Sequence, residues 1–263
     1  MRIESIGLIY FSPTGTTHKI VSHIARGMGA ASISDLDLTI EEETTPNLQM
    51  DMAIIGAPVY AGRIPHVTIQ RLEKIKVNGV PAVVVVLYGN RAYEDALLEL
   101  INQSRSCGFH PIAAGAFIGE HSFATKTYPI AVGRPDQDDL TLAEKFGVNV
   151  AQKLASEDLS PAKYALSVPG THPYKKRPPA HAQSPITQAD LCTLCGTCAM
   201  VCPTQVIKVA DTVTTDQSEC IACCACIKNC PTGARIFTAA SINNKAQWLH
   251  ENYSERKSPE VFI

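Results

Sequence analysis

Over the first 156 residues, short apolar runs rich in β-branched residues alternate with stretches of helical period. The runs Ile3 to Tyr10, Ser32 to Leu38, Asp51 to Ala57, Ala82 to Leu87 and Pro111 to Ile118 read as strands. Between and after them, Thr16 to Arg26, Pro65 to Lys74, Tyr93 to Ser106 and Gln137 to Ala155 read as helices. Strands that are apolar on both faces and separated by helices indicate a parallel sheet covered on both sides. The expected fold class is therefore α/β, a doubly wound five-stranded sheet. Its ligand is expected beyond the carboxyl ends of the strands, where the strand order reverses.

From Glu157 to Ser184 the pattern stops. Pro161, Pro169, Pro173, Pro178 and Pro179 accumulate there with the basic run Lys175, Lys176, Arg177, which reads as a linker. Fully extended, its 28 residues reach on the order of 90 Å. A second domain is expected over 185–240, and linker length alone leaves open whether it docks on its own chain or on another. Ala240 to Ser254 reads as a helix within a 241–263 tail, with the single tryptophan, Trp248, anchoring it against a core.

Composition is that of a globular chain, 45% hydrophobic and 18% charged. The longest apolar stretch, Pro81 to Tyr88, is far short of the roughly 18 residues of a spanning helix, so no membrane insertion is expected. The N-terminus shows no apolar export signal, which points to a cytoplasmic protein. A net charge of −2 gives no basic surplus for nucleic acid. Nine of the ten cysteines lie between residues 192 and 230. A disulfide scaffold would spread them, so they read as metal ligands in a reducing compartment.

The first loop, Ser12-Pro13-Thr14-Gly15-Thr16-Thr17, leads directly into a helix. Free N–H groups, hydroxyls and a glycine suit a phosphate there, and the same residues suit a plain helix cap. Neither GxxxxGK[ST] nor GxGxxG is present. Ser12, Thr14, Gly15, Thr16 and Thr17 resemble the FMN phosphate loop of flavodoxins, [ST]-x-T-G-x-T. The resemblance extends to two later strand ends. One is Pro58-Val59-Tyr60-Ala61-Gly62-Arg63 and the other Tyr88-Gly89-Asn90-Arg91, followed by Tyr93. In flavodoxin-like proteins such loops clasp the isoalloxazine. The resemblance thus implies FMN, with backbone groups meeting the pyrimidine edge and Tyr60 or Tyr93 offering a π-face. Arg63 and Arg91 read either as offsetting charge on the reduced ring or as ordinary surface arginines. His121, just past the fifth strand, is a candidate proton handler, though solvation in a polar loop is the plainer reading. The long 119–135 connection reads as a lid or a docking surface. Glu41-Glu42-Glu43 reads as a solvated acidic loop.

Downstream, CTLCGTCAMVCP at 192–203 and CIACCACIKNCP at 220–231 repeat with an offset of 28 residues. Each is C-x-x-C-x-x-C-x-x-x-C-P and resembles the bacterial two-cluster ferredoxin run, in which the fourth cysteine serves the other cluster. The resemblance implies two [4Fe-4S] clusters. Cys192, Cys195, Cys198 and Cys230 would hold one, and Cys220, Cys223, Cys226 and Cys202 the other. Zinc sites space their cysteines differently. Cys224 falls within the second run and is read as a small buried residue beside the cluster, and Cys107 as core.

Together the halves resemble flavodoxin-ferredoxin fusion proteins. That resemblance implies a small α+β 2[4Fe-4S] ferredoxin domain after the α/β sheet. It also implies an electron-transfer oxidoreductase relaying electrons between the two clusters, FMN and a redox protein acting as donor or acceptor. An FMN-dependent reductase of a small acceptor such as a quinone is one alternative, and a non-catalytic redox sensor is another. A homodimer is expected as a way of bringing the cofactors together.

Overall fold

A computed structural model describes residues 3–41, 49–157, 164–177 and 183–263. Its first unit contains β1 (Ser5–Tyr10), α1 (Thr16–Met28), β2 (Ser32–Asp37), β3 (Met52–Pro58), α2 (His66–Leu72), β4 (Val80–Tyr88), α3 (Ala96–Ser106), β5 (Phe109–Ile118) and α4 (Gln137–Ser156). The two-residue period of a strand divides each strand between two cores. Ile6, Leu8, Val83, Val85 and Leu87 face α1 and α4. Ile9, Ile55, Val84 and Val86 face the α3 side with Leu97, Leu100 and Ile101. Strand order is β5-β4-β3-β1-β2, with those five parallel. This is the flavodoxin-like doubly wound order, whose switch point lies between β1 and β3.

Helices α1 and α4 pack closely through two glycines. A Cβ on Gly27 would fall 2.7 Å from the Glu144 carbonyl carbon, and one on Gly147 would fall 3.0 Å from that of Ile24. Gly27 and Gly147 thereby let two backbones approach, which seats the loop before α1 over the sheet. Helix α4 starts with a reciprocal capping box between Asp136 and Asp139.

The second unit is small. β6 (Ile186–Thr187) pairs antiparallel with β9 (Arg235–Ile236), and β7 (Ile207–Val209) with β8 (Val213–Thr215). α5 (Thr197–Met200) and α6 (Ala225–Lys228) each carry one cysteine of a run. Their core is Cys198, Cys202, Ile207 and Cys226.

Three expectations change. The sheet has six strands, because the tail after α7 (Ala240–Asn252) supplies β10 (Glu260–Phe262), antiparallel on β5. Within the stretch read as a linker, residues 164–177 pack on the first unit instead of spanning free space. The Thr171 and Lys175 N–H groups donate to Asp95 at 2.9 and 2.6 Å, and Leu166 and Val168 join the α3-side core. Trp248 is 46% exposed and meets the edge of Tyr253 within the same tail, while buried Ile242, Ala246 and Leu249 anchor α7 in its place. Residues 158–163 and 178–182, with Glu42 and Glu43, lie outside the described residues. Glu41 pairs with Lys74. Among the described residues no helix is long and apolar enough to cross a membrane.

Candidate functional site

The two cysteine runs fold alike. Leu194 and Gly196 in the first run and Ala222 and Cys224 in the second all have positive φ, between 51° and 79°. Gly196 and Cys224 are the N-caps of α5 and α6. Cys224 thus occupies the left-handed position that glycine fills in the first run, buried at 2% exposure with its thiol toward the Ala222 carbonyl. Turns of this kind aim successive backbone N–H groups inward and favour an anionic guest.

These turns surround two cavities. Cys192, Cys195, Cys198 and Cys230 line one, open in part to solvent. Cys202, Cys220, Cys223 and Cys226 line the other, which Cys224 also borders. The structure therefore brings the eight cysteines together in two crossed sets of four. All ten cysteines are free. Among the described residues no three His, Cys, Asp or Glu form a group that would hold a single ion.

The two cavities differ in exposure. Burial pushes the Cys223 thiol up to about 12 and raises Cys220 and Cys226. Exposed Cys195 is lowered by the hydroxyl and N–H of Thr197. The first cavity therefore faces solvent, beside exposed Leu191, Leu194 and Met200, and the second faces the α/β unit.

At the carboxyl ends of β1, β3 and β4 stand the three predicted loops. Gly15, at φ 78°, caps α1, and a Cβ there would meet nothing within 4 Å, so the cradle is open. Ser12 Oγ accepts the His18 N–H at 3.0 Å, while Thr14 and Thr16 hydroxyls lie 3.4 Å apart at its rim. Thr17 is buried against Gly56, at the β3 end. In the second loop, Ala61 and Gly62 both take positive φ between the bridged residues Tyr60 and Arg63, a tight two-residue turn. Pro58 and Val59 precede it, with the Val59 N–H on the Leu87 carbonyl. Tyr60 is half-buried, and burial, then charge on the Cys223 and Cys224 thiols, raises its hydroxyl well above its ordinary pKa.

Several predicted roles give way to contacts far along the chain. Arg63 donates to both Glu99 oxygens at 2.7 and 2.5 Å and to the Lys175 carbonyl, and it lies over Tyr174. Its guanidinium is committed to fastening residues 174–177 and offers no charge to a ring. Tyr93 and Tyr88 are core residues, 8% and 5% exposed. Tyr93 donates to Glu260 of β10, so Tyr60 alone of the two candidate aromatics can present a face. Arg91 pairs with Glu94 at 2.5 Å.

His121 lies flat against Gly89, where a Cβ would fall 2.7 Å from its Cγ. Burial, then Lys245, Arg91 and Lys228, lower it to about 4, so it is neutral at pH 7 and is no proton donor of the imidazolium kind. The 119–135 connection is a docking surface. Glu120 pairs with Lys228 of α6 at 2.5 Å, Phe123 meets Phe237 edge-on at 5.9 Å, and the Pro129 carbonyl lies 2.8 Å from His250 Nδ1. Elsewhere, Arg71 donates to the Pro203 carbonyl at 2.6 Å. No local sequence signal marks these pairs, since the partners stand more than a hundred residues apart.

Comparison with known proteins matches residues 185–208 and 213–236 to a family described as a 4Fe-4S binding domain. No curated protein matches the chain. Among solved structures the chain is similar to oxidised flavodoxin 1 from Bacillus cereus at 18% identity and a TM-score of 0.42, covering 59% of this chain and 99% of that one. A flavodoxin from the domain Archaea matches at 11% identity and a TM-score of 0.38, covering 57% and 99%. Rubredoxin oxygen:oxidoreductase from the anaerobe Desulfovibrio gigas matches at 12% identity and a TM-score of 0.41. There the alignment covers 58% of this chain but 36% of that protein.

Proposed function

We propose that this chain, a flavodoxin-type sheet fused to a 4Fe-4S binding domain, is an electron-transfer oxidoreductase connecting a redox protein, two [4Fe-4S] clusters and FMN. One observation carries the reading: Pro203 and Ile221, which line the second cysteine cavity, pack on the first unit, Ile221 against the same core as Val59 of the turn after β3 and Pro203 on Arg71. Cys192, Cys195, Cys198 and Cys230 would hold the outer cluster and Cys202, Cys220, Cys223 and Cys226 the inner one. Ser12, Thr14, Gly15, Thr16 and Thr17 would hold the flavin phosphate through hydroxyls and the free N–H groups at the start of α1. The 58–62 and 88–91 segments would flank the ring. Bound, the clusters pass single electrons and FMN takes one or two.

The residues supply placement. Lys228, Phe237, Ile221 and Pro203 hold the small unit against the 119–135 connection, the α3-side core and Arg71 of its own chain. Close approach of the cofactors therefore needs no second subunit, and the reason for expecting a homodimer falls away. Leu191, Leu194 and Met200 leave an apolar face beside the outer cavity, where a one-electron protein partner can approach.

Anaerobic purification followed by flavin, iron and sulfide analysis tests the reading. It predicts one FMN per chain and about eight irons, two clusters of four. Thr14→Ala with Thr16→Ala removes hydroxyls from a charged guest, where hydrogen bonds are worth about 1.5 to 3 kcal/mol each, so FMN affinity falls at least tenfold. Iron near four per chain, or FMN bound equally tightly by the double variant, contradicts it.

A further inference from the structure

Two side-chain atoms without partners flank the end of β4. Asn90 is 2% exposed, and its Nδ2 donates to the carbonyls of Tyr253 and Glu255 at 2.6 and 2.8 Å. Carbonyls only accept, so these two bonds fix which end of the amide faces the tail. Oδ1 is left buried with no partner. It is the one pure acceptor among the unpartnered buried side-chain atoms of the described residues, the others being Thr68 Oγ1, Arg71 Nε and Arg235 Nε. Buried acceptors are rarely left so without a guest or a water to serve.

The second atom belongs to His121, whose ring covers Gly89, the neighbour of Asn90. The Phe123 N–H donates to His121 Nδ1 at 3.0 Å. That nitrogen must then be the lone-pair nitrogen, and the proton of the neutral ring sits on Nε2. Nε2–H has no partner among the described residues. A fixed acceptor and a fixed neutral donor thus flank one strand end.

Their complement is an N–H beside a carbonyl. The oxidised isoalloxazine has a single ring N–H, at N3, set between two carbonyls. We propose that Asn90 Oδ1 accepts the flavin N3–H and His121 Nε2–H donates to an adjacent flavin carbonyl, so that the pair reads the imide edge of the ring. This rests on the FMN reading above. The C-terminal tail becomes part of the flavin site, because it orients Asn90 by two carbonyls and holds the same loop through Lys257 Nζ on the Arg91 carbonyl at 2.6 Å. Arg134 in turn holds the Lys257 carbonyl at 2.7 Å, and β10 pins the end of the tail to β5. The tail residues act as positioning residues, and Asn90 and His121 touch the ring.

The test compares FMN with N3-methyl-FMN, which lacks the N–H, by titration into flavin-free holo-cluster protein under anaerobic conditions. The native chain should bind the methylated flavin about tenfold more weakly, the worth of one hydrogen bond. Asn90→Gly keeps the backbone free to hold φ 64°. It should bind FMN about tenfold more weakly than the native chain and bind the two flavins alike. Asn90→Ala also removes the acceptor and should bind the two flavins alike, which keeps the test decisive if the glycine variant does not fold. Equal binding of both flavins by the native chain overturns the proposal while leaving the FMN reading intact, and so does discrimination that persists in Asn90→Gly or Asn90→Ala. Absence of FMN binding by the native chain overturns both.

Discussion

His121 should make this protein less stable as pH falls below neutral. Its folded pKa of about 4 lies below the ordinary 6.5 because the ring is buried over Gly89 with Lys245, Arg91 and Lys228 around it. The unfolded chain binds the proton more tightly, so stability rises with pH between those two values. The contribution is complete above pH 6.5 and is lost as pH falls towards 4. At about 1.4 kcal/mol for each tenfold change in proton affinity, the whole effect is about 3 kcal/mol, and the part lost between pH 7.5 and pH 5 is about 2 kcal/mol. His121→Gln does not titrate, so urea unfolding of the native chain and this variant at both pH values isolates the imidazole from every other acid-sensitive group. The native chain should lose about 2 kcal/mol more than the variant. Gly89→Ala provides the structural control. Its Cβ would lie 2.7 and 2.8 Å from Cγ and Cβ of His121, which displaces the ring and returns its NMR titration midpoint towards 6.5. Parallel pH dependence of native and His121→Gln chains, or a native midpoint near 6.5, refutes the reasoning.

Other substitutions probe other parts of the account. Gly27→Ala gains about 1 kcal/mol of helix propensity, yet its Cβ meets the Glu144 backbone of α4. Net destabilisation of about 1 to 3 kcal/mol is expected, with weaker FMN binding as α1 shifts, both read by urea titration and flavin fluorescence. Cys224→Gly copies the residue of the first run at the same left-handed position and should leave iron near the native content. Cys198→Ala and Cys226→Ala should each disturb one cluster, and iron analysis separates the three. Arg134→Leu strands buried Asp139, whose two oxygens it contacts, and releases the Lys257 carbonyl. It should cost about 3 to 5 kcal/mol and free the tail to proteolysis.

The α/β sheet was legible because its central strands are apolar on both faces and its helices keep their period. Even β2, mostly exposed at the sheet edge, carried enough alternation to be found. The cysteine runs were legible because ligand geometry constrains spacing within a few residues. What escaped depends on distant partners. Glu260-Val261-Phe262 is too short to announce a strand, and β5 supplies its register. Residues 164–177 carry linker composition, and it is Asp95, some 76 and 80 residues upstream of Thr171 and Lys175, that orders them. Arg63 and Tyr93 occur where flavin contacts belong, but Glu99 and Glu260 take their polar atoms. Trp248 misled because a large aromatic is expected to be buried, whereas here it rests on Tyr253 at the surface.

The central claim is that electrons cross between the inner cluster and the flavin within one chain, where Ile221 and Pro203 at the wall of the inner cavity pack on the first unit. Rapid anaerobic reduction of the clusters, followed optically as the flavin changes redox state, measures that step over a tenfold range of protein concentration. The account predicts cluster reoxidation matched by flavin reduction at a first-order rate that does not change with concentration. A rate that rises in proportion to concentration, or clusters that stay reduced beside an oxidised flavin, would contradict it.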